Sequence, residues 1–94
     1  KFIGSAKFAD QMFRSATSVA ANYAEACEAE SSKDFVHKLK IAMKELSETR
    51  IWLKLIGESG YIEITRLSGL IAESKELSRI LSASVTTTKK RIGG

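Results

Sequence analysis

Between Phe35 and Ile56 the side chains Phe35, Leu39, Ala42, Leu46, Thr49, Leu53 and Ile56 recur at intervals that alternate four and three without a break. That spacing keeps one side of a 3.6-residue helix pointed at a partner, the seam of a bundle or coiled coil. A strand needs a period of two, so this stretch excludes a β reading of the middle of the chain. The rest agrees. The 94 residues contain no proline and only six glycines. Long helices are therefore permitted almost everywhere, and the regular turn signals of an all-β fold are missing.

Two further helices flank the central one. From about Ala6 to Glu30, Phe8, Met12, Ala16, Val19, Tyr23 and Ala26 share one face, with Ala20, Ala21, Ala24 and Ala29 filling much of the remainder. Small side chains let backbones approach closely, which predicts that this first helix sits deep in a bundle. Ser31 and Ser32 then interrupt the pattern. Ser31-x-x-Asp34 is a capping-box variant that starts the second helix, and Gly57 and Gly60 bracket its end. A third helix begins between Ile62 and Thr65 and runs to about Val85 on Ile64, Leu67, Ile71, Ser74, Ser78, Leu81 and Val85, widened by Leu70, Leu77 and Ile80. Gly69 weakens it by about 1 kcal/mol relative to alanine. Residues 86–94, TTTKKRIGG, lack periodicity and read as a flexible tail. Short connections force neighbouring helices antiparallel. The expectation is one all-α domain over 1–94, an up-and-down antiparallel bundle.

The end of the second helix is apolar almost all round. Ile51 pairs with Leu55, and Trp52 with Ile56, outside the main seam. A helix of that kind needs cover on more than one side, so Ile51, Trp52, Leu55 and Ile56 are the candidate oligomer interface.

Chemistry-bearing residues are sparse. His37 is the only histidine, and Asp34-x-x-His37 is the nearest approach to the Glu-x-x-His of di-metal bundles. With Cys27 it supplies too few ligands for structural zinc. Cys27 is the only cysteine, which excludes an intramolecular disulfide and points to a cytoplasmic protein. No apolar run is long enough to span a bilayer. The residues offer no catalytic constellation, and no enzyme activity, cofactor or metal is expected.

Charge is more organised. The net charge is +4. Lys33, His37, Lys40 and Lys44 are spaced four, three and four along the second helix, opposite Phe35 and Leu39, and Arg14 adds to them. This stripe is the candidate nucleic-acid-binding surface. Without interleaved aromatic residues, binding to RNA or DNA would be directed at the backbone and sensitive to salt. Asn22, Glu25, Glu45 and Glu48, with Arg14 and Ser18, form a candidate polar network between the first two helices. A solvated helix face explains the same lysines, and a protein–protein scaffold without intrinsic nucleic-acid binding is the alternative.

The segment Arg14-Ser15-Ala16-Thr17-Ser18-Val19-Ala20-Ala21-Asn22-Tyr23-Ala24-Glu25-Ala26, followed by Ser32-Lys33-Asp34-Phe35, Leu39, Ile41-Ala42, Glu45, Leu46 and Glu48, resembles the bacterial four-helix-bundle family of 23S ribosomal RNA intervening-sequence proteins. Trp52-Leu53 and Gly60-Tyr61-Ile62 are also similar to that family. Ala26 departs from the family's usual glycine, and no proline interrupts Val19 to Asn22. The resemblance implies a further helix ahead of this stretch and assembly as a pentamer. It also implies association with ribosomal RNA intervening sequences, or, by analogy with reverse-transcriptase accessory proteins, with a protein partner.

Overall fold

A computed structural model of the chain describes residues 2–60 and 62–93, with side chains described from Ala6 onward. Tyr61 and Gly94, both used in the sequence reading, lie outside the described residues. Three helices follow in order: α1 Phe2–Cys27, α2 Ser32–Ser59 and α3 Ile64–Gly93. No strand occurs among the described residues.

The ends of α2 are set by local chemistry. Ser31 has extended backbone (φ −140°, ψ 155°), and its hydroxyl accepts from the Asp34 amide at 3.0 Å. That bond satisfies one of the free amides of the first turn, beside an acidic residue that suits the helix dipole. At the other end Gly60 adopts φ 82°, a left-handed conformation that glycine enters without a Cβ penalty, and its amide reaches the Gly57 carbonyl at 3.2 Å. α1 stops three residues earlier than its alanine content predicts. Glu28 and Ala29 bond back three residues, to Glu25 and Ala26, so the last turn tightens before the chain reverses.

α2 is the central element. α1 and α3 each pack against it antiparallel, and their backbones stay apart from one another. The result is an elongated body of 51 × 19 × 14 Å. Every member of the α2 seam except Phe35 is buried, and Leu39, Ala42 and Ile56 are at most 1% exposed. Leu39, Ala42 and Leu46 join Ala26 of α1 and Leu81 and Val85 of α3 in one cluster. Leu53, Ile56 and Leu67 form a second, covered by Phe8, Met12, Ile62 and Ile71. Burying each large aliphatic side chain contributes about 1.5–3 kcal/mol.

Three expectations are corrected. α1 is not the deep helix: Ala20, Ala21 and Ala24 are exposed, and the close approach to α2 is made by Ser15, which is fully buried. Ile56 is not available as an interface residue, because it fills the chain's own core. The segment from Thr86 is not a tail but the end of α3. Leu81, Val85 and Thr88 continue the four–three spacing, Thr88 is 6% exposed, and Lys90 and Arg91 in the last turn suit the negative end of the helix dipole.

Candidate nucleic-acid interface

The antiparallel packing turns one side of α2 outward. Lys33, His37, Lys40 and Lys44 are all exposed on it. A shallow cleft of about 490 Å³ runs between Ser31, Lys33, Asp34, Val36, His37 and Lys40. None of the three lysines forms an ion pair with an acid among the described residues. Their charge is therefore directed to solvent.

The end of α3 adds to this face. Lys40 of α2 and Lys89 of α3 are both exposed, on the two helices that share this seam. The neighbouring Lys89 side chain, through hydrogen bonding and charge repulsion, holds the Lys40 pKa below the ordinary lysine value, with some loss of hydration acting in the same direction. Lys89 is held here because α3 continues to Gly93 and residue 89 is not in a tail. The continuing spacing from Leu81 through Val85 to Thr88 is the signal that reveals it.

Other cations have different employment. Lys38 turns toward α1 and pairs with Glu25 at 2.6 Å, which raises the Lys38 pKa. Arg14 donates to Glu48 and lies 3.7 Å from Glu45, on the α1–α2 contact and away from the lysine stripe. Arg50 spans the α2–α3 seam, donating to the Ser74 carbonyl at 3.1 Å and the Ser78 hydroxyl at 2.8 Å. The polar residues of the first two helices thus divide into two inter-helix pairings, Arg14 with Glu48 and Glu45, and Lys38 with Glu25. Asn22 joins neither: its amide donates to the Ser18 carbonyl of its own helix at 2.9 Å.

The apolar surface also divides. Ile51 is 56% exposed on the outward side of α2, while Leu55 is half-buried. Trp52 packs on Phe8 with ring centroids 5.7 Å apart and donates its indole N–H to Glu48 at 3.3 Å. A second apolar area lies elsewhere, in a groove of about 340 Å³ between α1 and α3, lined by Ala16, Val19, Tyr23, Leu77, Ile80 and Leu81 among others. Among the described residues no group of three or more His, Cys, Asp or Glu side chains is placed to hold a metal ion. No helix in the described residues is long and apolar enough to cross a membrane.

The profile of the 23S rRNA-intervening sequence proteins matches residues 4–83. A solved structure from Bacteroides thetaiotaomicron, described as a protein of unknown function from the S23 ribosomal protein family, is similar at 37% identity and a TM-score of 0.79. The match covers 83% of this chain and 72% of that one. No curated protein matches the chain.

Proposed function

The chain belongs to the 23S rRNA-intervening sequence protein family, and on that premise we propose that it is a non-enzymatic, self-associating helical module that binds the backbone of RNA or DNA. The observation that carries this reading is the exposed basic face of α2, whose lysines have no acidic partner among the described residues. Lysine without a carboxylate is free to displace counterions from a polyphosphate, and that release is the main source of sequence-independent affinity. Five copies of a chain of net charge +4 would carry about +20, which strengthens the same attraction. Reversing Lys33, Lys40 and Lys44 together to glutamate should abolish binding to a labelled RNA duplex while the helical circular-dichroism signal persists. Unchanged affinity in that variant would remove α2 as the binding face.

One observation favours a second reading, a protein–protein scaffold with no nucleic-acid ligand. Tyr23, Leu77 and Ile80 are 50%, 40% and 49% exposed along the α1–α3 groove, an apolar area of the kind that marks a docking surface. The two readings separate on a paired variant, Leu77→Lys with Ile80→Lys. A scaffold loses its partner and its self-association, whereas backbone binding through α2 survives on the monomer.

A further inference from the structure

The register of α2 against α3 extends the basic surface well beyond one helix. Lys40 meets Lys89, and Arg50 reaches Ser78. Arg50 also donates to the Ser74 carbonyl and Gly57 faces Leu67, so between these contacts α2 advances seven residues while α3 retreats seven, and the helices keep one antiparallel register along the seam. Lys33, Lys40, Ser47 and Lys54 follow one another every seven residues on α2, and Lys75, Ser82 and Lys89 do so on α3. Seven residues are two helical turns, so each row keeps to one side of its helix with steps of about 10 Å. In that register the two rows are staggered along the seam: Lys54 lies level with Leu70 and Lys75 level with Thr49. Lys54 also lies one turn beyond Arg50, and Lys75 follows Ser74, the residue whose carbonyl Arg50 grips.

All five lysines are exposed, and none is in an ion pair with an acid among the described residues. The serines between them are hydroxyl donors suited to phosphate oxygens. Arg50, held across the seam, fixes the spacing of the two rows.

We infer that the α2–α3 seam is a two-railed track for a nucleic-acid backbone, with Lys33, Lys40 and Lys54 on one rail and Lys75 and Lys89 on the other. This inference rests on the nucleic-acid reading proposed above and assigns its ligand contacts. The track holds phosphates from both sides, most tightly between Lys40 and Lys89, where a bound anion relieves the repulsion between two adjacent ammonium groups. Hydrogen bonding with Lys89 and that repulsion lower the Lys40 pKa in the free protein. The rails offer no aromatic side chain to stack on a base, so recognition is of phosphate and not of sequence.

The test is fluorescence anisotropy of the full chain with a fluorescein-labelled RNA duplex over a range of salt. The variants are Lys75→Ala, Lys89→Ala and, as a charge-matched control on α1, Lys7→Ala. The track predicts that each α3 variant binds several-fold more weakly and lowers the magnitude of the log–log salt slope by about one. Lys7→Ala should keep the wild-type slope. Lys40→Ala combined with Lys89→Ala should lose less than the product of the two single losses, because both hold one phosphate. If the wild type binds but the Lys75 and Lys89 variants keep its slope, the second rail is wrong and the α2 face stands alone. If the wild type shows no salt-sensitive binding, the nucleic-acid reading itself fails. Tighter binding of polyaspartate than of the duplex at equal charge concentration would overturn the assignment in favour of an acidic protein partner. Thermal melts followed by circular dichroism confirm that the alanine variants remain folded.

Discussion

Ser15 of α1 and Thr49 of α2 meet hydroxyl to hydroxyl at 2.8 Å, and both side chains are buried. Each also sits within hydrogen-bonding distance of a carbonyl of its own helix: Ser15 at 3.0 Å from Met12 O, and Thr49 at 2.8 Å from Glu45 O. One hydroxyl can donate to its own helix while the other donates across the contact, so the pair is satisfied without water. The small size of Ser15 sets how closely α1 approaches α2.

Ser15→Ala should therefore destabilise the chain modestly, by about 1 kcal/mol, since Thr49 retains its carbonyl partner. Ser15→Leu should cost more, about 1–3 kcal/mol or above, by forcing the helices apart at a fully buried position. Urea denaturation followed at the helical circular-dichroism band ranks the two. A Ser15→Leu chain as stable as wild type would mean that α1 does not pack on α2 as described.

Two glycines should respond in opposite directions. Gly60 holds φ 82°, so Gly60→Ala introduces left-handed strain and should lower stability by about 1 kcal/mol. At Gly69 a methyl group would meet nothing within 4 Å, and the helix continues on both sides. Gly69→Ala should raise stability by up to about 1 kcal/mol. Melting temperatures of the two variants, measured side by side, check both signs.

The lysines of α2 should titrate apart. Lys38, favoured in its charged form by Glu25, has a raised pKa in the folded chain. Its stabilising contribution is fully present below the unfolded lysine pKa and is lost as pH rises through the folded value. Lys40 has a lowered folded pKa because of Lys89, so the repulsive penalty is present while both are charged. It is relieved as pH rises from that depressed value toward the ordinary one, and stability from this pair rises across the same window. Lys40 is exposed and Lys38 only half-buried, so the stability effects are small and the titrations themselves are the better readout. Carbon chemical shifts of the lysine side chains should place Lys40 below and Lys38 above the other lysines, and Lys89→Ala should return Lys40 to the ordinary range.

The α2 seam was legible residue by residue from Leu39 to Ile56, because one helix packed on two sides must keep a strict four–three rhythm. The ends of α2 are legible from Ser31 and Gly60 for the local reasons that the structure displays, whereas Gly57 lies inside α2, where a side chain would meet Ile64 and Leu67 of α3. The depth of α1 is not legible in the sequence, since an alanine-rich helix satisfies both a central and a flanking position, and burial depends on where α3 lies. The end of α3 is not legible either, because threonine has weak helix propensity and the packing of Thr88 offsets it. Of the candidate site, the α2 stripe was visible in spacing alone. Its neighbour Lys89 was not, because contacts between helices depend on register, which spacing within one helix does not encode. Arg14 illustrates the same limit: its charge is plain in the sequence, but its engagement with Glu48 is a tertiary fact.

The most direct test of the account is the salt dependence of RNA-duplex binding by the unmodified full chain. With five lysines of the track at phosphates, affinity should fall with a log–log slope of about −4 to −5. Undetectable binding at low salt, or an affinity indifferent to salt, would contradict the claim that this helical module works through its basic face.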